Sequence, residues 1–161
     1  MEASKFLTVD QIRKLETQAI EEQGITSATL MDKAGQAVAL AAIRGVGQGE
    51  VIVFSGYGNN GGDGLVAARY ILENGNQVNI FLAGRPKPFT PETAANYDAV
   101  LRLGCPIEKI QNKEDTDRAF SKLGKPALII DAIFGIGIRA GLDGFYIDLI
   151  EKYKYYPAKD I

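Results

Sequence analysis

The sequence has no histidine and a single cysteine among its 161 residues. Without histidine, the chain cannot build a Ser-His-Asp or Cys-His catalytic pair, an HExxH metalloprotease site or a zinc site with histidine ligands. The lone Cys105 excludes an internal disulfide, a CxxC redox pair and a cysteine-rich zinc site. Any chemistry must therefore use carboxylates, lysines, tyrosines, hydroxyls, backbone amides or a hard cation bound by oxygen.

Strong charge and long apolar runs are also missing. The net charge is −2, whereas a general nucleic-acid binder would show a basic face. The longest apolar run, residues 37–43, is far shorter than the ~20 residues that span a bilayer. The first residues lack the basic-then-apolar pattern of a signal peptide. Together with a free cysteine, these features indicate a cytoplasmic protein, or a mitochondrial one whose presequence has been removed.

The hydrophobic pattern predicts alternating helices and strands. Thr8 and Gln11 form a capping box before the first helical pattern, and short all-apolar runs are typical of strands buried on both faces. The predicted order is helix 9–23, helix 26–45, strand 51–54, helix 62–73, strand 78–82, helix 91–103, strand 106–110, helix 115–123, strand 127–131 and helix 145–153.

This alternation predicts an α/β fold, a three-layer Rossmann-like parallel sheet with helices on both faces and right-handed crossovers. In the common strand order 3-2-1-4, the first and fourth strands are neighbours at the topological switch point. Ligands of such sheets bind there, outside the carboxyl ends of the strands. The two most unusual loops, 56–64 and 131–144, follow those two strands, and we therefore expect them to meet.

The loop after the first strand reads Gly-Tyr-Gly-Asn-Asn-Gly-Gly-Asp-Gly at 56–64. It satisfies G-x-G-x-x-G, in which glycines let the backbone approach a ligand's phosphates at a helix N-terminus. A conventional NAD(P) oxidoreductase would also need an acidic residue after the second strand, and 81–84 contains none. The oxygens of Asn59, Asn60 and Asp63 suit a hard cation or a ligand's hydroxyl and amide groups. The structural alternative is left-handed turns at the asparagines and a helix cap at Asp63.

The loop after the fourth strand begins with a carboxylate. Asp131 stands at the tip of the predicted strand, where it can act as a general acid or base, serve as a ligand, or simply cap a turn. The glycine-rich stretch 134–141 follows it and can wrap closely around a ligand. Arg139, and Arg85 and Lys87 after the second strand, are either phosphate contacts or solvent-exposed side chains.

Three motifs resemble the YjeF N-terminal domain family. They are the segment 56–64 with the following Leu-Val-Ala-Ala-Arg, Asp-Ala-Ile-Phe-Gly-Ile-Gly at 131–137, and Leu-Met-Asp-Lys-Ala-Gly at 30–35. Their order and spacing match the family over nearly all of the chain. The resemblance implies one YjeF N-terminal-type domain over 1–161. This domain would comprise a helical N-terminal segment, 1–47, and a Rossmann-like core, 48–161.

The same resemblance implies an NAD(P)H-hydrate epimerase, an isomerase that interconverts the R and S epimers of NADHX or NADPHX, nicotinamide nucleotides hydrated at C6. Such enzymes supply a dehydratase that restores NAD(P)H. The family also suggests a homodimer, to which the two N-terminal helices could contribute. Family members continue to a strand that ends in Asp-Ile-Pro-Ser-Gly, a motif that this sequence lacks, so we expect the C-terminal strands to be missing.

Site residues follow from the resemblance position by position. Potassium is expected at Asn60 and Asp131. The catalytic residues are a separate hypothesis, drawn from the residues present: epimerisation needs a proton donor and an acceptor, and without histidine Asp131 is the first candidate and Asp63 the second. The alternative to an enzyme is a non-catalytic binding or dimerisation scaffold of the same fold, or an inactive fragment. The expected substrate-binding residues are Asn59, Asn60, Gly61, Gly62, Asp63, Gly135, Ile136, Gly137, Ile138, Arg139, Ala140 and Gly141.

Overall fold

The computed structural model describes residues 7–47, 49–136 and 141–157. All of the predicted helices and strands are present within these ranges. None of the helices there has the length and apolar character needed to cross a membrane. The elements are α1 Val9–Glu21, α2 Ser27–Val46, β1 Val51–Ser55, α3 Asn59–Glu73, β2 Val78–Ala83, α4 Pro91–Arg102, β3 Ile107–Ile110, α5 Lys113–Lys122, β4 Leu128–Ala132 and α6 Gly144–Lys154.

The four strands form one parallel sheet in the order β3-β2-β1-β4, which confirms the predicted topology. Val51 of β1 lies level with Val78 of β2 on one side and with Leu128 of β4 on the other. Every residue of β1 is buried, because this strand has neighbours on both edges and helices on both faces. β4 is an outer strand of the sheet and is only partly buried.

Alternate side chains of β1 support two separate hydrophobic layers. Val51 and Val53 pack with buried residues of α2, α3 and α4 on one face of the sheet. Ile52 and Phe54 pack with residues of α5 and α6 on the other face. Side chains of a strand point alternately to opposite faces, so an all-apolar strand serves both layers. The prediction of helices on both faces is confirmed.

Helices α2 and α3 approach each other closely at Gly35. A Cβ atom placed on Gly35 would lie 2.4 Å from Cβ of Val66 and 2.6 Å from the carbonyl oxygen of Asp63. Ala39 and Ala42 of α2 are buried in the same layer. The small residues of α2 therefore bring it against α3 and make it part of the core.

Helix α1 begins as the sequence predicts but is loosely packed. Thr8 accepts a hydrogen bond from the Gln11 amide, and the Gln11 side chain accepts one from the Thr8 amide, completing the capping box. None of the residues of α1 is buried, and Val9, Leu15 and Ile20 are exposed. α1 is therefore not held against the rest of the molecule by a large apolar contact.

Helix α3 starts earlier than the glycine pattern predicts. Its N-cap is Gly58, which supplies no capping side chain, and the helix begins at Asn59 and not near residue 62. The described part of the chain has no non-glycine residue with positive φ, so Asn59 and Asn60 do not adopt left-handed turns. Asp63 is inside the helix and does not cap it. The polar residues of the motif therefore lie on the first turns of a helix.

Candidate active site

A cavity of about 1370 Å³ lies at the carboxyl end of the sheet. Segments that follow all four strands contribute to its walls, and α1 and the start of α6 complete them. Residues 56–60 and 133–136 both line it, so the two unusual loops meet as predicted. Open parallel sheets bind their ligands at this position.

The two loops are tied together by backbone contacts and one side chain. The Gly56 amide donates to the Ala132 carbonyl at 3.0 Å, and Nδ2 of Asn60 donates to the Phe134 carbonyl at 3.0 Å. A Cβ atom on Gly56 would lie 2.2 Å from the Ile133 carbonyl oxygen. Only glycine therefore allows the first loop to pass this close to the second.

Gly61 and Gly62 are buried in the first turn of α3, and neither lines the cavity. A Cβ atom on Gly61 would lie 1.9 Å from the Gly56 carbonyl oxygen, and one on Gly62 would lie 2.5 Å from Cε of Met31. The Ser55 hydroxyl donates to the Gly61 carbonyl at 3.1 Å and fixes the same turn. In the structure, these two glycines make close packing contacts.

Asn59, Asn60 and Asp63 all line the cavity, because positions i, i+1 and i+4 of a helix share one side. Burial, and secondarily the nearby carboxylate of Glu16, raises the pKa of Asp63 from 3.8 to about 6. Near neutral pH such a carboxyl group can both accept and donate a proton. The prediction that these side chains gather at one site agrees with their positions.

Asp131 lies outside this cavity. Its side chain is exposed beside Phe54, on the sheet face that carries α6. One of its carboxylate oxygens accepts a hydrogen bond from the Ile133 amide at 3.0 Å, and the other accepts one from the Tyr153 hydroxyl. Burial and this bond raise the pKa of Tyr153. Asp131 is therefore engaged by its own neighbours and does not line the cavity that Asn60 lines.

The other predicted site residues fall into three groups. Gly135 and Ile136 line the cavity, and so do Arg85 and Lys87. Gly141 is exposed and does not line it. The predicted residues Gly137, Ile138, Arg139 and Ala140 lie outside the described residues.

Some cavity residues were not predicted as site residues. Ile12, Arg13 and Glu16 come from α1, and Tyr57 comes from the glycine-rich loop itself. Tyr57 is 7% exposed, its ring stacks on Phe89 with centroids 5.3 Å apart, and its buried hydroxyl has no hydrogen-bond partner. The rule that ligands bind at strand ends does not include α1, so the sequence held no clear signal for its three residues.

The model of the family described as YjeF-related protein N-terminus matches residues 27–158. The chain belongs to this family. This YjeF-type chain is 34% identical to the NAD(P)H-hydrate epimerase of Roseobacter litoralis, over 88% of the chain and 68% of that relative. It is also 34% identical to the NAD(P)H-hydrate epimerase of Limosilactobacillus reuteri, over 91% of the chain and 66% of the relative.

Longer relatives and a solved structure show the same likeness. The YjeF-type chain is 34% identical to the bifunctional NAD(P)H-hydrate repair enzyme Nnr of Thermofilum pendens, and it spans only 28% of that protein. The crystal structure of the yeast protein YNL200c matches with a TM-score of 0.77 and 26% identity, over 92% of this chain and 64% of the yeast chain. The Rossmann-like YjeF N-terminal fold is therefore confirmed.

Proposed function

We propose that this chain acts as an NAD(P)H-hydrate epimerase and interconverts the R and S epimers of NADHX or NADPHX. The observation that carries this proposal is the polar side of α3, where Asn59, Asn60 and Asp63 face the cavity at the carboxyl end of the sheet. Relatives named for this activity share 34% of the sequence over most of the chain.

The chemistry requires a proton donor and a proton acceptor. The hydroxyl group on C6 must leave and return on the other face of the ring, or the ring must open and close, and both routes move protons. Asp63 faces the cavity with a pKa of about 6, which suits both roles. Asp131 is the second candidate, but a role for it requires that its carboxylate turn away from Tyr153 and towards the cavity.

Substrate contacts are proposed along the two loops that meet in the cavity. The amide groups of Asn59 and Asn60 offer both donors and acceptors to the hydroxyl and carboxamide of a hydrated nicotinamide. Gly135 and Ile136 line the same cavity and complete the proposed contacts from the second loop. Gly61 and Gly62 would support this site by allowing the close packing of the first turn of α3, and not by direct contact with the substrate.

The family resemblance implies potassium binding at Asn60 and Asp131, and the arrangement of these two residues can be tested against that expectation. Asn60 and the Phe134 carbonyl supply oxygen atoms beside the cavity, which suits a hard cation. Both oxygens of Asp131 are engaged elsewhere, and the described residues contain no group of three or more His, Cys, Asp or Glu side chains able to hold a metal. The residues do not fit an assembled potassium site, and no catalytic step is assigned to the ion.

The proposed biological setting is the repair of nicotinamide nucleotides. The S epimer would pass to an NAD(P)HX dehydratase, and the chain would act as a homodimer in the cytoplasm or in mitochondria. α1 and α2 expose the apolar side chains of Leu15, Val38 and Leu40, which support an interface between copies at these helices.

The decisive experiment is turnover of purified (R)-NADHX by the purified chain, followed as formation of the S epimer in potassium and in sodium buffers. We expect epimerisation well above the rate in buffer alone. Asp63→Asn and Asn60→Ala should each lower kcat by roughly 100-fold. Asp98→Asn is the control, because Asp98 is exposed on α4 and does not line the cavity. A wild-type rate equal to that of buffer would contradict the epimerase and favour the scaffold.

A further inference from the structure

Helix α1 gives one of its sides to the cavity although it is loosely packed elsewhere. Ile12, Arg13 and Glu16 line the cavity, as expected for positions i, i+1 and i+4 of one helix. Leu15, between them in sequence, points away and is 52% exposed. The capping box at Thr8 fixes where this helix starts. The inward side of α1 carries a carboxylate into the site.

Glu16 and Asp63 bring two carboxyl groups from different helices to the same cavity. Glu16 belongs to α1 and Asp63 belongs to α3. Both residues line the cavity, and the charge of Glu16 contributes, after burial, to the raised pKa of Asp63. Neither takes part in an ion pair or a side-chain hydrogen bond to another described residue, and Arg13 is not bonded to either of them. Both carboxyl groups are available for proton transfer.

Epimerisation that proceeds by loss and return of a hydroxyl group needs groups on both faces of the reacting carbon. The leaving hydroxyl requires a proton on one face, and the water that returns must lose a proton on the other face. A single carboxyl group on one side of a bound ring reaches one face of C6. Transfer at the opposite face therefore needs a second proton-transfer group, which a different helix can supply.

We propose that Glu16 is the second proton-transfer group of this site and that it works as a pair with Asp63. The proposal rests on the proposed epimerase function and assigns a role to α1, which lies outside the glycine-rich motif. Asp63 and Glu16 then exchange the roles of acid and base between the two directions of the reaction.

In one direction, protonated Asp63 gives its proton to the hydroxyl oxygen on C6. The C6–O bond breaks, its electron pair leaves with the new water molecule, and the lone pair of the ring nitrogen forms a C6–N double bond. Water then adds to the opposite face of C6, the double-bond pair returns to nitrogen, and the Glu16 carboxylate takes the released proton. One proton is consumed and one is released, so no further reactant is needed. Exchange of protons with solvent restores the starting state.

The kinetic test compares Glu16→Gln with Glu21→Gln. Both positions are exposed on α1, but Glu21 does not line the cavity. We expect Glu16→Gln to lower kcat by roughly 100-fold, with KM changed by less than about threefold, because the lost interaction acts mainly in the transition state. Glu21→Gln should keep the wild-type kcat, and both variants should keep the wild-type Tm. A wild-type kcat in Glu16→Gln overturns the proposal.

A second test is independent of turnover. Cys105 is the only cysteine and is buried, so paired cysteine variants can be cross-linked with little background. A short bis-maleimide should join the two thiols of Glu16→Cys/Asp63→Cys and should not join those of Glu21→Cys/Asp63→Cys. Absence of the first link overturns the pairing, whether or not the chain is active. A link in a chain whose wild type leaves (R)-NADHX unchanged overturns the epimerase assignment and retains only the proximity.

Discussion

Two residues of the candidate site are held in positions that cost stability. The hydroxyl of Tyr57 is buried without a partner, and a buried polar group of this kind loses its hydration without gaining a hydrogen bond. Asp63 is a carboxyl group whose ionised form is disfavoured by burial. Ligand-binding sites often contain such groups, because an unpaired polar atom can bond to the ligand and a carboxyl group with a raised pKa can transfer protons.

Replacing Tyr57 by phenylalanine should stabilise the protein. The substitution keeps the ring that stacks on Phe89 and removes only the unpartnered hydroxyl, for an expected gain of about 1 kcal/mol in the free energy of unfolding. Urea denaturation measures this difference. Tyr97→Phe is the matched control, since Tyr97 also packs against Phe89 but is less buried, and it should change stability little. A clear loss of stability in Tyr57→Phe would show that the hydroxyl does have a partner.

Asp63 should make stability depend on pH in the direction opposite to most aspartates. Its pKa is higher in the folded protein than the 3.8 of an unperturbed group, so the folded state binds more protons between the two values. Stability due to this group is therefore fully present below about pH 4 and is lost as the pH rises through about 6. Asp63→Asn should raise Tm at pH 8 and leave it nearly unchanged at pH 4. An equal shift of Tm at both pH values would contradict this assignment.

At the residue scale, the sequence predicts where a side chain lies when its place on a helix or strand alone determines that location. Asn59, Asn60 and Asp63 could be placed at the cavity because they follow a central strand of a parallel sheet. The direction of the Asp131 side chain could not be predicted. It depends on the hydroxyl of Tyr153, which reaches it only after α6 has packed on the sheet.

At the scale of elements, Gly35 marks a close approach between α2 and α3, because glycine has no side chain. Gly35 lets the helices approach until no methyl group fits between them. The sequence shows the small residues of α2 but not which of them touches α3. The early start of α3 was also not predictable from the sequence. A stretch as rich in glycine as 56–64 is typical of a loop, whereas in the structure the helix begins at Asn59 within it.

Two glycines of α2 should respond in opposite ways to alanine. Gly35→Ala places a methyl group 2.4 Å from Cβ of Val66 and should cost about 1–3 kcal/mol, because the helices must move apart. Gly45→Ala meets no atom within 4 Å and should gain about 0.5–1 kcal/mol from the higher helix propensity of alanine. Chemical denaturation of both variants gives the comparison. Equal effects would mean that propensity, and not the helix contact, controls this position.

For the whole molecule, strand order and layer arrangement could be predicted well. The alternation of apolar strands with helical patterns leaves few arrangements of a parallel sheet, and the order β3-β2-β1-β4 is the common one. The contribution of α1 to the cavity could not be predicted, because that helix precedes the alternating pattern and makes no large contact that its sequence would reveal.

The exposed apolar residues of α2 yield a prediction about assembly. Leu40 is 51% exposed on α2, and Leu40→Glu should convert the proposed homodimer into a monomer, because an interface cannot bury an unpaired carboxylate cheaply. Sedimentation velocity at micromolar concentration measures this change. Leu101→Glu is the control, since Leu101 is similarly exposed, at 44%, on α4. A wild-type chain that sediments as a monomer would contradict the homodimer.

The position of β1 has a consequence for how the chain acquires its structure during synthesis. β1 is the first strand to leave the ribosome, and it pairs with β2 soon afterwards, whereas its other neighbour, β4, is the last of the four to emerge. One edge of β1 therefore stays open until β4 has emerged, and contacts this distant in sequence form slowly. Since the segment after β4 is also a wall of the cavity, the nascent protein can complete its binding site only after β4 has emerged.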